Sequence, residues 1–547
     1  MSSATTTPAP PPLPPTVELR HSTGGGGVAA AALAGLVAAG LALGAGELVA
    51  GIDARMASPV EAVAREVIDR APSSVERFAI ETFGTNDKLA LVVGTLALAA
   101  VLGAVLGVVA RRRRRIGAAG FAAFAVLGAL AALSAANATA LAAVPSLAAG
   151  VAGVAALGLL LDRMPGTRRV SPPPGAAGTA GPGTGSRRAF LGVAAGVAAA
   201  AALAGAGGRA LRSRFSAAES RAAVVLPRAA RPLPAVPAAA EVGVPGIAPF
   251  VTPNRDFYRI DTALIVPQVR AEDWTLRVTG MVDRPFELSF AELLDRDLVE
   301  ADITLTCVSN PIGGELVGNA RWLGVPAAEL LDRARPSRRA DQLVGRSVDG
   351  YTCGFPLAAA FDRPCLVAVG MNGEPLPLRH GFPARLVTPG VYGYVGSTKW
   401  LTELEVTTFD AFDQYWVPRG YAEQAPIKTM TRIDTPRSFE RVPAGRVVVG
   451  GVAWAQTRGI EQVEISIDGD PFRALELGAA VSDDTWRQWR HEWDAAPGRH
   501  TIVVRATDGT GELQTEDRSE PLPDGASGWM SLVVQVGDSD TTPPPTT

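Results

Sequence analysis

Residues Asp302 to Gly314 read DITLTCVSNPIGG. A short strand pattern runs into Cys307, and a turn-forming run of Ser309, Asn310, Pro311, Gly313 and Gly314 follows at once. A thiol where a strand stops can face a cleft. As a thiolate it is a nucleophile and a soft metal ligand. The other two cysteines, Cys353 and Cys365, complete no zinc spacing with it. Three is an odd number, so at least one thiol is left over from any internal disulfide. Cys353 and Cys365 read as core cysteines, with a disulfide between them as the alternative. The chain has no C-x-x-C-H, so a c-type haem is not expected. Its four histidines are His21, His380, His491 and His500. None falls in the apolar part of the chain, which argues against a bis-histidine haem there.

The 547 residues are 47% hydrophobic and 19% charged, with a formal net charge of -3. That balance suggests no nucleic-acid partner. The average hides two unlike halves. Residues before about 210 are dominated by Ala, Gly, Leu and Val, whereas those after about 245 have ordinary globular composition.

Residues 1–23 are Pro/Thr-rich and read as a disordered tail. Residues 24–210 read as a transmembrane bundle with five spans, at about 28–52, 89–110, 116–136, 140–161 and 189–208. Each is apolar over about the 20 residues that a crossing helix needs. Arg111 to Arg115 close the second span, and Arg163, Arg168, Arg169, Arg187 and Arg188 lie between the fourth and fifth. With these arginines in the cytoplasm, the N-terminus is inside and the soluble part outside. The fifth span is preceded by SRRAFLG, Ser186 to Gly192. This resembles the twin-arginine export signal S-R-R-x-F-L-K, and implies a domain folded around its cofactor before crossing.

A linker is expected over 211–249, a mixed α+β domain over 250–410, an all-β domain over 426–538 and a tail over 539–547. In the first domain WTLRVTGMV alternates like a strand. SFAELLDRD carries a serine cap with Glu292 three residues on, and VPAAELLDRA sets Pro326 where a first helical turn tolerates it. In the second, short strands such as VEISIDG and HTIVVRATD are separated by DGD, APG and DGTG turns. An immunoglobulin-like β-sandwich is the economical reading.

Four stretches together resemble the sulfite oxidase family of molybdopterin enzymes: TLTCVSN its molybdenum-ligating motif, MNGEPLPLRHGFPARLVTPGVYGYVGSTKW its pterin-binding stretch, FVTPNRDFYRIDT the entry to its cofactor domain, and the C-terminal sandwich its dimerisation domain. The likeness covers about Phe250 to Val536. It implies an α+β sulfite-oxidase-like cofactor domain between the membrane bundle and the sandwich. It also implies Mo-molybdopterin as cofactor, with Cys307 as the protein's metal ligand. His380, Arg385 and Lys399 occupy positions that contact the pterin and its phosphate, for which Arg offers a planar fork and Lys a point charge. Ser397 and the backbone of GSTK add donors, and Asn254 is a further pterin contact. Arg259 falls at the family's substrate arginine. The family continues there with Asn-His, whereas this chain has Ile260 and Asp261, and a carboxylate so placed would partly offset a positive pocket. Tyr421 matches the active-site tyrosine, and Arg419 is another candidate for anion contact.

The implied reaction is oxygen-atom transfer on a small oxyanion or sulfur-containing substrate. Electrons would pass to a separate electron-transfer protein or a quinone-linked partner. A homodimer through the sandwich is a further expectation. The reverse reaction, reduction of a sulfoxide or N-oxide, uses the same centre. A non-catalytic, membrane-tethered binding module is the reading from another class.

Overall fold

The computed structural model describes residues 25–72, 75, 78, 82–83, 87–135, 138–164 and 187–537. Ser186 of the export-signal motif, His21 and both tails lie outside the described residues. The chain divides into two compact units, one of apolar helices up to Arg212 and one that includes everything described from Ser213 onward.

In the first unit the helices are α1 (Gly25–Ala50), α2 (Pro59–Arg70), α3 (Asp87–Arg112), α4 (Arg114–Leu133), α5 (Val144–Asp162) and α6 (Arg187–Ser213). Among the described residues five, all but α2, are long and apolar enough to cross a membrane. Helix α1 packs on α3 and α5. Its approach to α3 is so close that a Cβ added at Gly35 would stand 2.0 Å from the Gly103 carbonyl oxygen. Only glycine permits this backbone contact. Helix α2 lies between the first and second of the five apolar helices. Pro59 at its start, Glu61 in its first turn and Arg70 in its last are ordinary helix-end signals. Arg212 on α6 forks onto Glu61 of α2, with both Nη atoms 2.7 Å from the two carboxylate oxygens.

The second unit contains four sheets among its described residues. Numbered in chain order, one has the spatial sequence β2 (Phe286–Ser289), β1 (Thr275–Gly280), β10 (Leu401–Thr407), β5 (Gln342–Ser347), β6 (Thr352–Pro356). A second runs β3 (Val299–Thr306), β4 (Val317–Pro326), β7 (Leu366–Met371), β8 (Glu374–Pro375), with β9 (Arg385–Val387) paired to β7. The helices between these strands are short: Phe290–Leu294, held by a full capping box between Ser289 and Glu292, and Ala327–Ala334, which starts after Pro326. The expected α+β pattern therefore resolves into a β-rich domain. Its core is one apolar cluster that includes the fully buried Trp274, Trp322 and Phe355.

Beyond Thr429 all regular strands belong to two further sheets. One is β11 (Met430–Thr435), β13 (Gly445–Trp454), β17 (Arg487–Ala495), β16 (Glu476–Leu477). The other is β12 (Arg441–Pro443), β19 (Met530–Gly537), β18 (Gly498–Asp508), β14 (Ile460–Ile467), β15 (Arg473–Ala474). Val449 and Trp489 from the first and Val504 and Val534 from the second share one buried cluster, so the sheets pack face to face. Within residues 213–249 the earlier part packs on the β-rich domain and the later part on the C-terminal sheets, where the Val242 amide donates to the Gln488 carboxamide oxygen at 2.9 Å. The Ala230 amide donates to the Leu298 carbonyl at 2.8 Å, and Arg231 bridges Val299 at the start of β3.

Candidate functional site

Strand β3 pairs antiparallel with β4, ending at Thr306 opposite Val317. Cys307 is the next residue. Its amide donates to the Leu316 carbonyl at 2.9 Å, and the Asn310 carboxamide oxygen accepts from the Leu316 amide at 2.8 Å. These bonds fix the loop that follows, so the thiol does stand where a strand stops and a turn begins. Cys307 is buried, and that burial pushes its thiol up, against the hydrogen bonds from the Ser309 amide and hydroxyl and the charge of Lys399. Cys353 and Cys365 are free, buried core thiols. The Thr398 hydroxyl donates to Cys353 Sγ at 3.0 Å, and Cys365 Sγ lies 3.1 Å from the Thr388 hydroxyl.

The cationic stretch folds back on itself. Leu386 of β9 exchanges backbone hydrogen bonds with Thr398, which sets Arg385 beside Lys399. Gly381, at φ +109° on the turn before Arg385, lets the chain pass close to both: a Cβ there would meet Lys399 Cα and Arg385 Cβ at about 3 Å.

His380 is fully buried. Its Nε2 lies 3.0 Å from the Asn254 carbonyl, an acceptor, which places the proton on Nε2 and leaves Nδ1 as a bare acceptor without a partner. Burial, then the charges of Arg385 and Lys399, push its pKa down to about 3, so the ring is neutral. Arg385 stacks its guanidinium 4.9 Å from the centre of the Trp322 ring and donates from Nη1 to the His380 carbonyl at 3.2 Å. Its Nε is buried without a partner, as is the Ser397 hydroxyl. Burial pushes Arg385 down to about 10.

Buried polar atoms in native folds are almost always paired, and an orphan calls for a cause. Here three orphans, His380 Nδ1, Arg385 Nε and Ser397 Oγ, belong to one folded-back stretch with a cation at its centre. A polar, anionic group with both donors and acceptors fits that set. The pterin and its phosphate have this chemistry, and the buried thiol of Cys307 supplies the soft ligand such a cofactor's metal takes.

Asn254 is tied into the protein: its side-chain amide donates to the Met371 carbonyl and to Glu374, and accepts from Asn372. Its backbone carbonyl, not its side chain, is what orients His380. Arg259 is held by Asp261, at 2.8 Å from Nε and 3.3 Å from Nη2. Lys399 Nζ donates to the same carboxylate and to the Ile260 carbonyl, both at 3.0 Å. Burial is the main cause that pushes Lys399 down to about 8. Tyr421 follows a 3₁₀ turn, Val417–Arg419, and packs against the rings of Tyr394 (5.4 Å) and Trp416 (5.1 Å). Arg419 is stacked 3.7 Å over Tyr415 and donates to that residue's carbonyl, so its planar face is already covered.

Sequence reasoning missed Tyr258. Tyr258 is half-buried, and the loss of water around its phenol pushes it well above its ordinary range, with the charge of Cys307 adding to this and that of Arg385 opposing it. Its hydroxyl and the Thr306 carbonyl oxygen each lie 3.7 Å from where a Cβ on Gly393 would stand. The signal was an aromatic pair, Phe257 and Tyr258, stacked 5.3 Å apart, directly before the substrate-type arginine. Two surface cavities of about 430 and 310 Å³, the first bounded by Asp434 and Phe439 and the second by Arg321 and Gly373, contain none of these site residues.

Comparison with known proteins agrees with this chemistry. The family described as "Oxidoreductase molybdopterin binding domain" matches residues 263–416, which include Cys307, His380, Arg385, Ser397 and Lys399. Human mitochondrial sulfite oxidase is 26% identical over 309 residues, covering 47% of this chain and 56% of that protein. The chain thus spans a little over half the length of that relative. The uncharacterized oxidoreductase YuiH of Bacillus subtilis is 32% identical over 148 residues, 27% of this chain and 72% of that protein. Among solved structures, the sulfane dehydrogenase SoxCD from Paracoccus pantotrophus aligns with a TM-score of 0.44 at 22% identity, over 49% of this chain and 75% of that one. The thiol, the folded-back cationic stretch, the family match and the two curated relatives agree: the chain belongs to the sulfite oxidase family of molybdopterin-binding oxidoreductases.

Proposed function

We propose that the protein is a membrane-anchored enzyme of oxygen-atom transfer, acting outside the cytoplasmic membrane on a small oxyanion or sulfur-containing substrate. The observation that carries this is the trio of orphaned buried polar atoms at His380, Arg385 and Ser397, in a unit that also buries a free thiol at a strand end. When bound, the molybdenum centre supplies the two-electron, oxygen-transferring chemistry.

The chain's residues bind and orient. Cys307 ligates as a thiolate. Burial disfavours that charge, whereas Ser309 and Lys399 favour it, so a metal is the partner that makes it stable. Arg385 and Ser397 hold the pterin and its phosphate, and His380 offers Nδ1 as an acceptor. Arg259 is the cation for a substrate oxygen. Tyr421 offers a hydroxyl to the substrate, and Tyr258, whose phenol stays protonated, offers a second one.

The five apolar helices form the anchor, with the arginine-rich loops in the cytoplasm and the export motif at Ser186 to Gly192 carrying the folded unit across. Electrons pass to a separate protein or a quinone-linked partner, without a haem of the chain's own. The paired C-terminal sheets are an immunoglobulin-like sandwich suited to a homodimer contact. The name of the curated relative, sulfite oxidase, supports a sulfur substrate.

A second reading, a reductase of sulfoxides or N-oxides, is favoured by one observation: Arg259 is already bound by a carboxylate. Two assays on the purified full chain separate the readings. Sulfite-dependent reduction of ferricyanide supports the oxidase. Dimethyl-sulfoxide-dependent oxidation of reduced viologen, with sulfite inert, supports the reductase. Inactivity in both, with cofactor bound, would overturn oxygen-atom transfer to or from these substrates.

A further inference from the structure

Asp261 stands where two chain segments meet. Its carboxylate takes Arg259 Nε at 2.8 Å and Nη2 at 3.3 Å, and Lys399 Nζ at 3.0 Å. Its side chain is 8% exposed, and those of Lys399 and Arg259 are 12% and 27% exposed. One nearly buried carboxylate therefore serves two cations that lie 140 positions apart in sequence, since Arg259 precedes the first sheet and Lys399 follows β9. Coulomb energies at such distances are large wherever water is scarce. Two cations sharing one anion present a net charge near a single positive, not two. Lys399 is bound on its other side by the Ile260 carbonyl, and the Ile260 side chain is 45% exposed, an apolar surface beside Arg259. A pocket built for a dianion would leave its arginine and lysine free and line the approach with polar groups.

We propose that Asp261 is a specificity-determining residue: by holding Arg259 and Lys399 on one carboxylate it lowers the positive charge offered to substrate and turns the site from dianions toward uncharged or singly charged oxygen donors and acceptors. This rests on reading Arg259 as the substrate cation of the proposed site. The carboxylate also fixes the geometry of both cations, so it acts on selectivity through charge and placement together. A change that removes its charge but keeps its shape should raise affinity for dianions while keeping both cations in place, because an amide oxygen in the Oδ2 position still accepts from Arg259 Nε and Lys399 Nζ, and only the longer Nη2 bond is lost.

The test uses the full chain in detergent and two probes of one shape, sulfate as the dianion and dimethyl sulfone as its uncharged isostere. Binding is measured by titration calorimetry, and molybdenum and pterin content by mass spectrometry on the same samples. In D261N, sulfate should bind at least about tenfold tighter than in the unmodified chain, with a steeper loss on adding salt, while the sulfone moves by less than about twofold. Asp261→Glu should restore the unmodified values. Unchanged or weaker sulfate binding in D261N overturns the proposal. Should D261N not fold, the unmodified chain decides alone. Sulfone binding at least as tight as sulfate supports the proposal, and sulfate more than about tenfold tighter contradicts it. Cofactor content reads the underlying assignment separately. Absent metal with the expected sulfate shift would remove the enzyme reading and leave the charge-setting role intact, and bound metal without the shift would do the reverse.

Discussion

The side-chain amide of Gln456 donates to the Thr304 carbonyl at 2.8 Å, on the strand that ends at Cys307. The same nitrogen reaches the Thr306 hydroxyl at 3.2 Å, and the Thr304 amide donates to the Asp484 carbonyl at 2.9 Å. Strand β3 is the edge of its sheet, and the outward backbone groups of Thr304 are thus satisfied by turn residues of the C-terminal domain, while Arg231 bridges Val299 at the strand's other end. An uncovered edge would be a site of fraying or mispairing. The C-terminal domain steadies the strand that presents the thiol.

Gln456→Leu leaves the Thr304 carbonyl buried without that partner. The expected cost is about 1–3 kcal/mol, the price of an unmet buried acceptor. Every tryptophan in the chain lies beyond residue 250, so tryptophan fluorescence melts report this unit alone. An unchanged midpoint would mean that water replaces the glutamine and that β3 needs no clamp.

Cys307→Ser is expected to abolish turnover while the pterin stays bound, because the cationic stretch that holds the pterin is intact. Pterin content and activity are read on one preparation. Retained activity would remove Cys307 from the metal.

Arg385→Met is close in length and keeps the apolar stem against Trp322, but it removes the buried cation and its orphaned Nε. Pterin content should fall at least about tenfold, since a charge-assisted contact to phosphate is among the stronger ones. The tryptophan melt should shift little. Full pterin content in this variant would make Arg385 a structural cation.

Burial, with Asp483 adding to it, pushes Asp484 up to about 6. The folded chain then binds a proton that the unfolded chain, near its ordinary value of about 3.9, releases. Stability from this residue is present below about pH 4 and is lost as pH rises through about 6. His380 works in the opposite direction. Burial holds it down to about 3, so between there and about 6.5 the unfolded chain takes up a proton that the folded chain refuses. Its contribution is lost as pH falls through that window. Asp484→Asn should therefore raise the melting midpoint near pH 7.5, with the gain vanishing below about pH 4. A gain that is equal at both pH values would show that the fold does not raise Asp484 above its ordinary range.

What was legible in the sequence was local. The strand running into Cys307, the serine cap at Ser289 and the cluster of His380, Arg385 and Lys399 each occupy a few consecutive turns or strands, where residue type and spacing carry the signal. The five apolar helices were legible for the same reason. What was hidden depends on distant segments meeting. Asp261 could be named as a departure beside Arg259, but its bond to Lys399 waits on the pairing of β9 with Thr398. Gln456 carries no mark of its reach to Thr304, and the Tyr258 hydroxyl comes near the strand end at Thr306 only once the chain before β1 is folded against β3. Helix α2 was overlooked because its apolar face is narrow and it lies between far stronger apolar runs.

The central claim is that this fold holds a molybdenum on Cys307 with a pterin on His380, Arg385 and Ser397. The direct measurement is the molybdenum and pterin content of the full chain, purified in detergent from a host that makes molybdopterin. About one of each per chain, with turnover lost and the pterin kept in Cys307→Ser, is the expected result. Neither metal nor pterin, from a host shown to load a control enzyme, would contradict it.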